Sequence, residues 1–303
     1  MFRITVLGSS AAMPSRERGL PSVALEREGE LLLFDCGEGT QRQLISAKLS
    51  KYQPDVILIS HIHGDHVLGI FGLLLSMSLH DRREPVVVIG PKEVKELLDY
   101  VFSKLNSRVS YDIQFREVRQ GIVMKRDEYT IRAIRASHQG DCYSYRLDEK
   151  ERPGKFYPEK AKALEIPMGP LWQKLQHGKS IVIKGRRISP EEVVGPSRKG
   201  RSFGYSGDTR TTKRLCKFFE GVDILLFDST YSDDYSREAK KFGHSTASDA
   251  AKLASEAKVG MLVLTHISQR VGDTKRLLEE AKKYHLRCVV ANDFDQFYIP
   301  LHR

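Results

Sequence analysis

Val56-Ile57-Leu58-Ile59-Ser60-His61-Ile62-His63-Gly64-Asp65-His66 decides how this chain is read. Its first four residues form a short, wholly apolar run of strand type. Three imidazoles and one carboxylate then fall within six residues, a dense set of zinc-type ligands. At an extended strand end His61 and His63 point to one side, because the side-chain period of a strand is two. Gly64 permits a sharp turn, so Asp65 and His66 can face a second position close by. One such loop can therefore feed two adjacent ions. A polar loop that merely collects histidines is the alternative reading, and the position of the cluster at a strand end argues against it.

Working outward, the same context recurs. His138 follows the run Ile131–Ala136, Asp208 follows Phe203-Gly204-Tyr205-Ser206, and His266 follows Met261–Thr265. Ligands at the carboxyl ends of several strands converge when those strands share one sheet edge, the usual placement of α/β sites. His80, His177, His285 and His302 lie away from strand ends and read as surface residues. His244 differs: Phe242-Gly243-His244-Ser245-Thr246 precedes a helical pattern, so the ring can project from a loop beside the site, with a helix-capping role as the alternative.

Strands are expected at Ile4–Leu7, Ser22–Leu25, Leu31–Asp35, Val56–Ser60, Val86–Gly90, Tyr129–Ala136, Gly204–Ser206, Asp223–Asp228, Gly260–Thr265, Cys288–Ala291 and Gln296–Ile299. Helical patterns run over Glu38–Lys48, Val67–His80, Lys92–Lys104 behind Pro91, Thr246–Ala257 and Asp273–Tyr284. The alternation predicts an α/β layered fold, in two blocks of roughly 1–140 and 200–300 that share one active site. Residues 150–201 break the rhythm with six prolines and the single tryptophan, Trp172. They read as an irregular, inserted, projecting arm, with one or two helical turns near 160–165.

The 303 residues include 40% hydrophobic and 29% charged side chains, ordinary for a globular protein, and no apolar run long enough to span a bilayer. Met1-Phe2-Arg3 runs straight into a strand-like segment, so no export signal is expected. Cys36, Cys142, Cys216 and Cys288 are scattered singly, which disfavours a disulfide framework or a cysteine metal site and fits the reducing cytoplasm. The net charge is +10, and 150–201 alone holds 13 Lys and Arg against five Asp and Glu, a local +8. Such concentration points to a polyanion-binding element, with nucleic acid as the partner.

The pattern His61-x-His63-x-Asp65-His66 followed by distant His, Asp and His resembles the metallo-β-lactamase superfamily. More narrowly, the chain resembles the ribonuclease Z family of tRNA 3′-processing endonucleases. The resemblance rests on Phe34-Asp35-Cys36-Gly37-Glu38-Gly39-Thr40-Gln41-Arg42-Gln43, Tyr205–Arg210, Gly243–Ala247 and His266-Ile267-Ser268-Gln269-Arg270. In the arm, Pro153-Gly154-Lys155-Phe156 and Gly169-Pro170-Leu171-Trp172 resemble that family's tRNA-binding element. The resemblance covers essentially all of 1–303 and implies a four-layer αββα sandwich. It implies that His61, His63 and His138 bind one zinc, that Asp65, His66 and His266 bind a second, and that Asp208 bridges them. It also implies a homodimer in which one subunit's arm holds tRNA for the other's site. The loop Pro14-Ser15-Arg16-Glu17-Arg18-Gly19 departs from the family's usual Pro-x-Lys-x-Arg-Asn, and Val271 stands where an aromatic is frequent.

The expected activity is metal-dependent hydrolysis that removes the 3′ trailer from precursor tRNA and leaves a 3′-hydroxyl. Two zinc ions, with manganese as the alternative, supply hydroxide at neutral pH and neutralise the phosphate. Asp65 is the candidate proton acceptor, His244 the candidate group for the phosphoryl or leaving oxygen, and Asp35 an orienting carboxylate behind the ligands. Arg16, Arg18, Gly169, Pro170 and Arg270 are the candidate RNA contacts, Arg16 and Arg18 facing the same side of an extended loop. The rival readings are another hydrolase of the superfamily, acting on a small phosphodiester or thioester, and a non-catalytic RNA-binding protein. The basic arm weighs against the first, the complete ligand set against the second.

Overall fold

The computed structural model describes residues 2–49 and 53–302. In chain order the strands are β1 (Phe2–Gly8), β2 (Ser22–Arg27), β3 (Glu30–Phe34), β4 (Val56–Leu58), β5 (Val86–Gly90), β6 (Ile113–Glu117), β7 (Gly121–Lys125) and β8 (Tyr129–Arg135). They continue with β9 (Tyr143–Glu149), β10 (Ile181–Ile183), β11 (Arg186–Ile188), β12 (Ser202–Tyr205), β13 (Ile224–Asp228), β14 (Met261–Thr265), β15 (Cys288–Val290) and β16 (Gln296–Tyr298). The helices are α1 (Thr40–Ser46), α2 (Gly64–Val67), α3 (Ile70–Leu79), α4 (Lys92–Lys104), α5 (Pro158–Ala163), α6 (Pro170–Gln176), α7 (Lys213–Phe218), α8 (Ser236–Phe242), α9 (Ala247–Glu256) and α10 (Thr274–Lys282).

The larger of two compact units holds residues 1–147 and 202–299. Its two sheets are ordered β16-β1-β2-β3-β4-β5-β6 and β15-β14-β13-β12-β9-β8-β7. Each central strand is apolar on both faces, and its alternate residues serve different cores. Leu32 and Phe34 of β3, Val56 and Leu58 of β4, and Ile224 and Leu226 of β13 fill the space between the sheets. Leu31, Leu33 and Ile57 turn outward to meet α1, α3 and α4, while Leu225 and Phe227 meet α7, α9 and α10. The result is the expected helix-sheet-sheet-helix layering. It brings Phe34 of the first sheet edge-on to Phe203 of the second, with ring centroids 5.1 Å apart.

The strand expected at Val86–Gly90 and the helix expected at Lys92–Lys104 are observed with those bounds, and the other expected elements shift by a few residues. Three differences carry physical reasons. The second sheet begins at β7, well before residue 140, and β16 returns to pair with β1, so the halves do not divide at 140 and 200. β6, β7 and β9 escape a period reading because they mix polar and apolar residues; β6 and β7 are largely exposed. The helix expected over Val67–His80 breaks at Gly69, where a Cβ would lie 2.0 Å from the Gly37 carbonyl oxygen. That contact locks the strand-end loop against residues 36–37, through Cys36 N–H to the His66 carbonyl at 2.8 Å and Gly69 N–H to the Cys36 carbonyl at 2.9 Å.

The smaller unit comprises 148–201 and 300–303. It is not an irregular connection: α5, α6 and the β10–β11 hairpin enclose a core of Ala161, Ile166, Leu175, Ile181, Ile188 and Val193. Lys184 and Gly185, both with positive φ (47° and 78°), form the two-residue hairpin turn. Trp172 packs on Phe156, ring centroids 5.0 Å apart, and its indole N–H donates to the Ile166 carbonyl at 3.0 Å. Two of the prolines that broke the rhythm instead open helices: Pro158 and Pro170 stand in the first turns of α5 and α6.

Phe203, wholly buried between the sheets, tests this core. Phe203→Ala should lower unfolding free energy by about 3–5 kcal/mol, read by urea denaturation; a loss below 1 kcal/mol would place the ring outside the packed layer.

Candidate metal centre

β12, β13 and β14 run parallel, with Tyr205 beside Leu226 and Leu226 beside Val263, so their carboxyl ends reach one edge together. Asp208, Asp228 and His266 sit at those ends. β4 delivers His61 and His63 from the first sheet, and the turn after β8 delivers His138. His266 itself adopts a left-handed backbone, φ 59°, uncommon for a residue with a Cβ.

Two donor sets result. His61 Nε2, His63 Nδ1 and His138 Nε2 face Asp208 Oδ2: His61 Nε2 lies 3.6 Å and His138 Nε2 3.8 Å from that oxygen, and His63 Nδ1 lies 2.9 and 3.3 Å from the two nitrogens. His66 Nε2 and His266 Nε2 lie 3.2 and 3.4 Å from the other oxygen, Asp208 Oδ1, and 3.6 and 3.5 Å from Asp65 Oδ2. Ligand atoms about 2.0–2.1 Å from a tetrahedral zinc stand about 3.3–3.4 Å apart, so both sets have the right size. Among the described residues, His66 Nε2, His266 Nε2 and Asp208 Oδ1 are buried without a hydrogen-bond partner. Buried lone pairs converging without donors are costly, and a cation satisfies them. The donors fit metal ions.

The imidazoles are oriented from behind. Asp35, fully buried, accepts from Ser60 N–H (2.6 Å), Ser60 Oγ (2.8 Å), Tyr205 OH (2.7 Å) and His66 Nδ1 (2.7 Å). Ser60 Oγ, its own proton given to Asp35, is 2.9 Å from His61 Nδ1 and accepts from it. His138 Nδ1 donates to the Gly243 carbonyl at 2.9 Å. His266 Nδ1 lies 2.8 Å from Thr230 Oγ1, which donates to Asp228 Oδ1 at 2.7 Å. In each case Nδ1 holds the proton and Nε2 keeps its lone pair toward the centre. His63 alone presents Nδ1.

Electrostatics agree with a cation site. Burial and the neighbouring His66 push His61 well below its ordinary pKa, so the ring is neutral. Burial opposes a charge on Asp208, yet His266 and His66 outweigh it and hold the carboxyl well below the usual range. Burial likewise disfavours a charged His66, but Asp208 with Asp35 outweighs it and raises its pKa well above the ordinary value: the carboxylates call for positive charge at this point, which a bound cation would supply in place of the Nε2 proton.

His244 lies at the centre's rim. Its Nδ1 is 2.8 Å from Asp228 Oδ2, and its ring stacks on His266 at 5.2 Å. Burial disfavours its charge, but Asp228 prevails and raises its pKa to about 9. It is no helix cap: Thr246 caps α9, accepting from Asp249 N–H.

The loop arginines do not share a face. Arg16 is exposed, whereas the Arg18 guanidinium turns inward to Ser9 Oγ (2.6 Å), the Ala291 carbonyl and Asn292 Oδ1 (3.0 Å). These acceptors, two side-chain oxygens and one carbonyl, won over an extended alternation, and Arg18 ties the loop down. Gly19 N–H donates to Asp293 Oδ2 at 2.6 Å. Arg270 is exposed four residues beyond His266; Gly169 and Pro170 are exposed at the start of α6 in the smaller unit. His80 and His177 are exposed as expected, but His285 and His302 are half-buried. Asp228 was missed as a functional residue, as were Ser60 and Thr230, although an acid ending the apolar run Ile224–Phe227 carries the same signal that found Asp208.

Asp35→Asn should weaken divalent-metal binding about 10- to 100-fold, measured by competition with a chromogenic chelator on folded protein. Unchanged affinity would remove Asp35 from ligand orientation.

Two family profiles match: "Anti-Pycsar protein Apyc1" over residues 2–150 and "Beta-lactamase superfamily domain" over 173–267. Among solved structures, the short form of human tRNase Z superposes with a TM-score of 0.73 at 24% identity, over 99% of this chain and 100% of that one. Ribonuclease Z of Archaeoglobus fulgidus is 43% identical over 97% of this chain and 96% of its own length. Ribonuclease Z of Nitrosopumilus maritimus is 41% identical over 96% and 98% respectively. With the metallo-β-lactamase layering around a His/Asp donor cluster, this near full-length identity places the chain in the ribonuclease Z family.

Proposed function

We propose that this chain is a zinc-dependent endoribonuclease that removes the 3′ trailer from precursor tRNA, leaving a 3′-hydroxyl on the tRNA. In this reading His61, His63 and His138 hold one ion, Asp65, His66 and His266 hold the other, and Asp208 spans both. One observation carries it: the two carboxylate oxygens of Asp208 each face a separate donor set. The names of the relatives and the basic stretch 150–201 support tRNA as substrate.

When bound, the ions supply a hydroxide at neutral pH and neutralise the phosphate. The protein's own groups do the rest. Asp65 is held well below the usual carboxylate range, because His266 and His66 outweigh its burial, and so stays ionised to accept the nucleophile's proton. Attack on phosphorus breaks the bond to the tRNA 3′-oxygen, which departs and takes up a proton. His244, kept protonated by Asp228, is the group that delivers it. The four free cysteines fit a cytoplasmic location, and no helix among the described residues is long and apolar enough to cross a membrane. A homodimer completes the proposal.

Asp208→Ala should abolish cleavage of precursor tRNA and lower bound zinc from about two ions per chain, measured by metal analysis beside a trailer-release assay. Cleavage at the parent rate would overturn the assignment. For the smaller unit, Lys174, Lys179 and Arg187 are exposed cations. Their joint replacement by Glu should weaken precursor tRNA binding and flatten its logarithmic salt dependence by up to ~2.7, about 0.9 per phosphate contact. An unaltered slope would exclude this segment from tRNA binding.

A further inference from the structure

Arg210 stands apart from the machinery described above. It lies two residues beyond Asp208, and its backbone N–H donates to the Ser137 carbonyl at 3.2 Å, next to His138. Its side chain is exposed, and its one hydrogen bond among the described residues is a long one, Nη2 to Ser137 Oγ at 3.3 Å. No carboxylate pairs with it among those residues. This contrasts with Arg18, whose guanidinium is consumed by Ser9, Ala291 and Asn292, and with Arg135, which pairs with Asp141 at 2.5 Å. A guanidinium whose backbone is tethered and whose tip makes one long hydrogen bond and no ion pair among the described residues, beside a site that handles a polyanion, suits a bidentate phosphate contact.

Its position fixes which phosphate. The Asp208 oxygens divide the centre into a His61/His63/His138 side and an Asp65/His66/His266 side. Arg210 is anchored on the first side through Ser137. The loop of residues 10–19 belongs to the second: Ala12 N–H donates to Asp65 Oδ2 at 2.9 Å, and Ser10 bridges Ile267 next to His266. That loop and residues 267–274 line a cleft of about 280 Å³ containing Ser10, Ser15, Gln269 and Thr274. An RNA strand crossing the centre therefore has a shaped cleft on one side and, on the other, an exposed guanidinium with no carboxylate partner among the described residues. A cleft suits the defined tRNA end, which must be positioned; a single exposed cation suits a trailer of arbitrary sequence, which offers only its phosphates.

Resting on the proposed tRNA-processing reading, we infer that Arg210 binds the trailer phosphate adjacent to the one cleaved. It is thus a substrate-binding residue that favours precursor over mature tRNA. The contact adds to substrate binding without touching the breaking bond, so it lowers KM more than it raises kcat.

The test is a KM-against-Ki comparison with the metal-loaded protein. Arg210→Ala should raise KM for a precursor with a multi-nucleotide trailer by about tenfold, the loss of one charge-assisted contact, with kcat little changed. The Ki of mature tRNA as a competitive inhibitor should move less than twofold. Arg210→Lys, which keeps the charge, should recover most of the lost affinity. Equal weakening of precursor and mature tRNA, or no change in either, would overturn the assignment. Cleavage by the unsubstituted chain checks the underlying reading separately.

Discussion

The structure depends on one buried carboxylate. Asp35 ends β3 in a left-handed backbone, φ 56°, with no solvent exposure, and four donors converge on it. An unpaired charge at such depth is untenable, so the fold must bring all four partners. Two come from Ser60 at the end of β4, one from Tyr205 in the opposite sheet, and one from His66 beyond the turn. The Tyr205 bond joins the two sheets, the Ser60 bonds set the height of the metal loop and the His66 bond selects its tautomer. Sheet packing and chemistry are therefore not separable here.

Asp228 does for the second sheet what Asp35 does for the first. It is also fully buried, accepts from Thr209 N–H, Thr230 and His244, and through Thr230 orients His266. Each sheet thus carries one buried carboxylate whose oxygens are engaged by hydrogen bonds behind the imidazoles that face the centre. Asp208 is left between them, and its two oxygens serve the two donor sets separately. Three carboxylates close together persist because the surrounding histidines and backbone amides neutralise them, and because cations can be accepted in front.

The smaller unit follows a different logic. Its core is only a handful of aliphatic side chains, with Phe156 and Trp172 against it. Its cations Lys174, Lys179, Lys184, Arg186 and Arg187 stay outside. A segment that spends its apolar residues on a minimal core and its charges on solvent is suited to meeting a polyanion, not to holding a reacting group.

Much of this was legible in the linear chain. Apolar runs ended by His, Asp or Ser located the strands of both sheets and the residues of both donor sets, because a buried strand and a metal ligand each have stringent local requirements. Strands with an exposed face, such as β6 and β7, were not legible, since polar residues there erase the contrast that a pattern reading needs. Nor was the fate of Arg18, whose acceptors lie more than 270 residues away at Ala291 and Asn292. The sequence by itself determined which chemistry is available and which strand ends carry it. Only the tertiary structure decided which nitrogen of each imidazole faces the centre and that Arg18 is tied down while Arg210 stays exposed. Those choices depend on acceptors delivered across the fold, and hydrogen bonds of 2.6–2.9 Å have no signature in residue order.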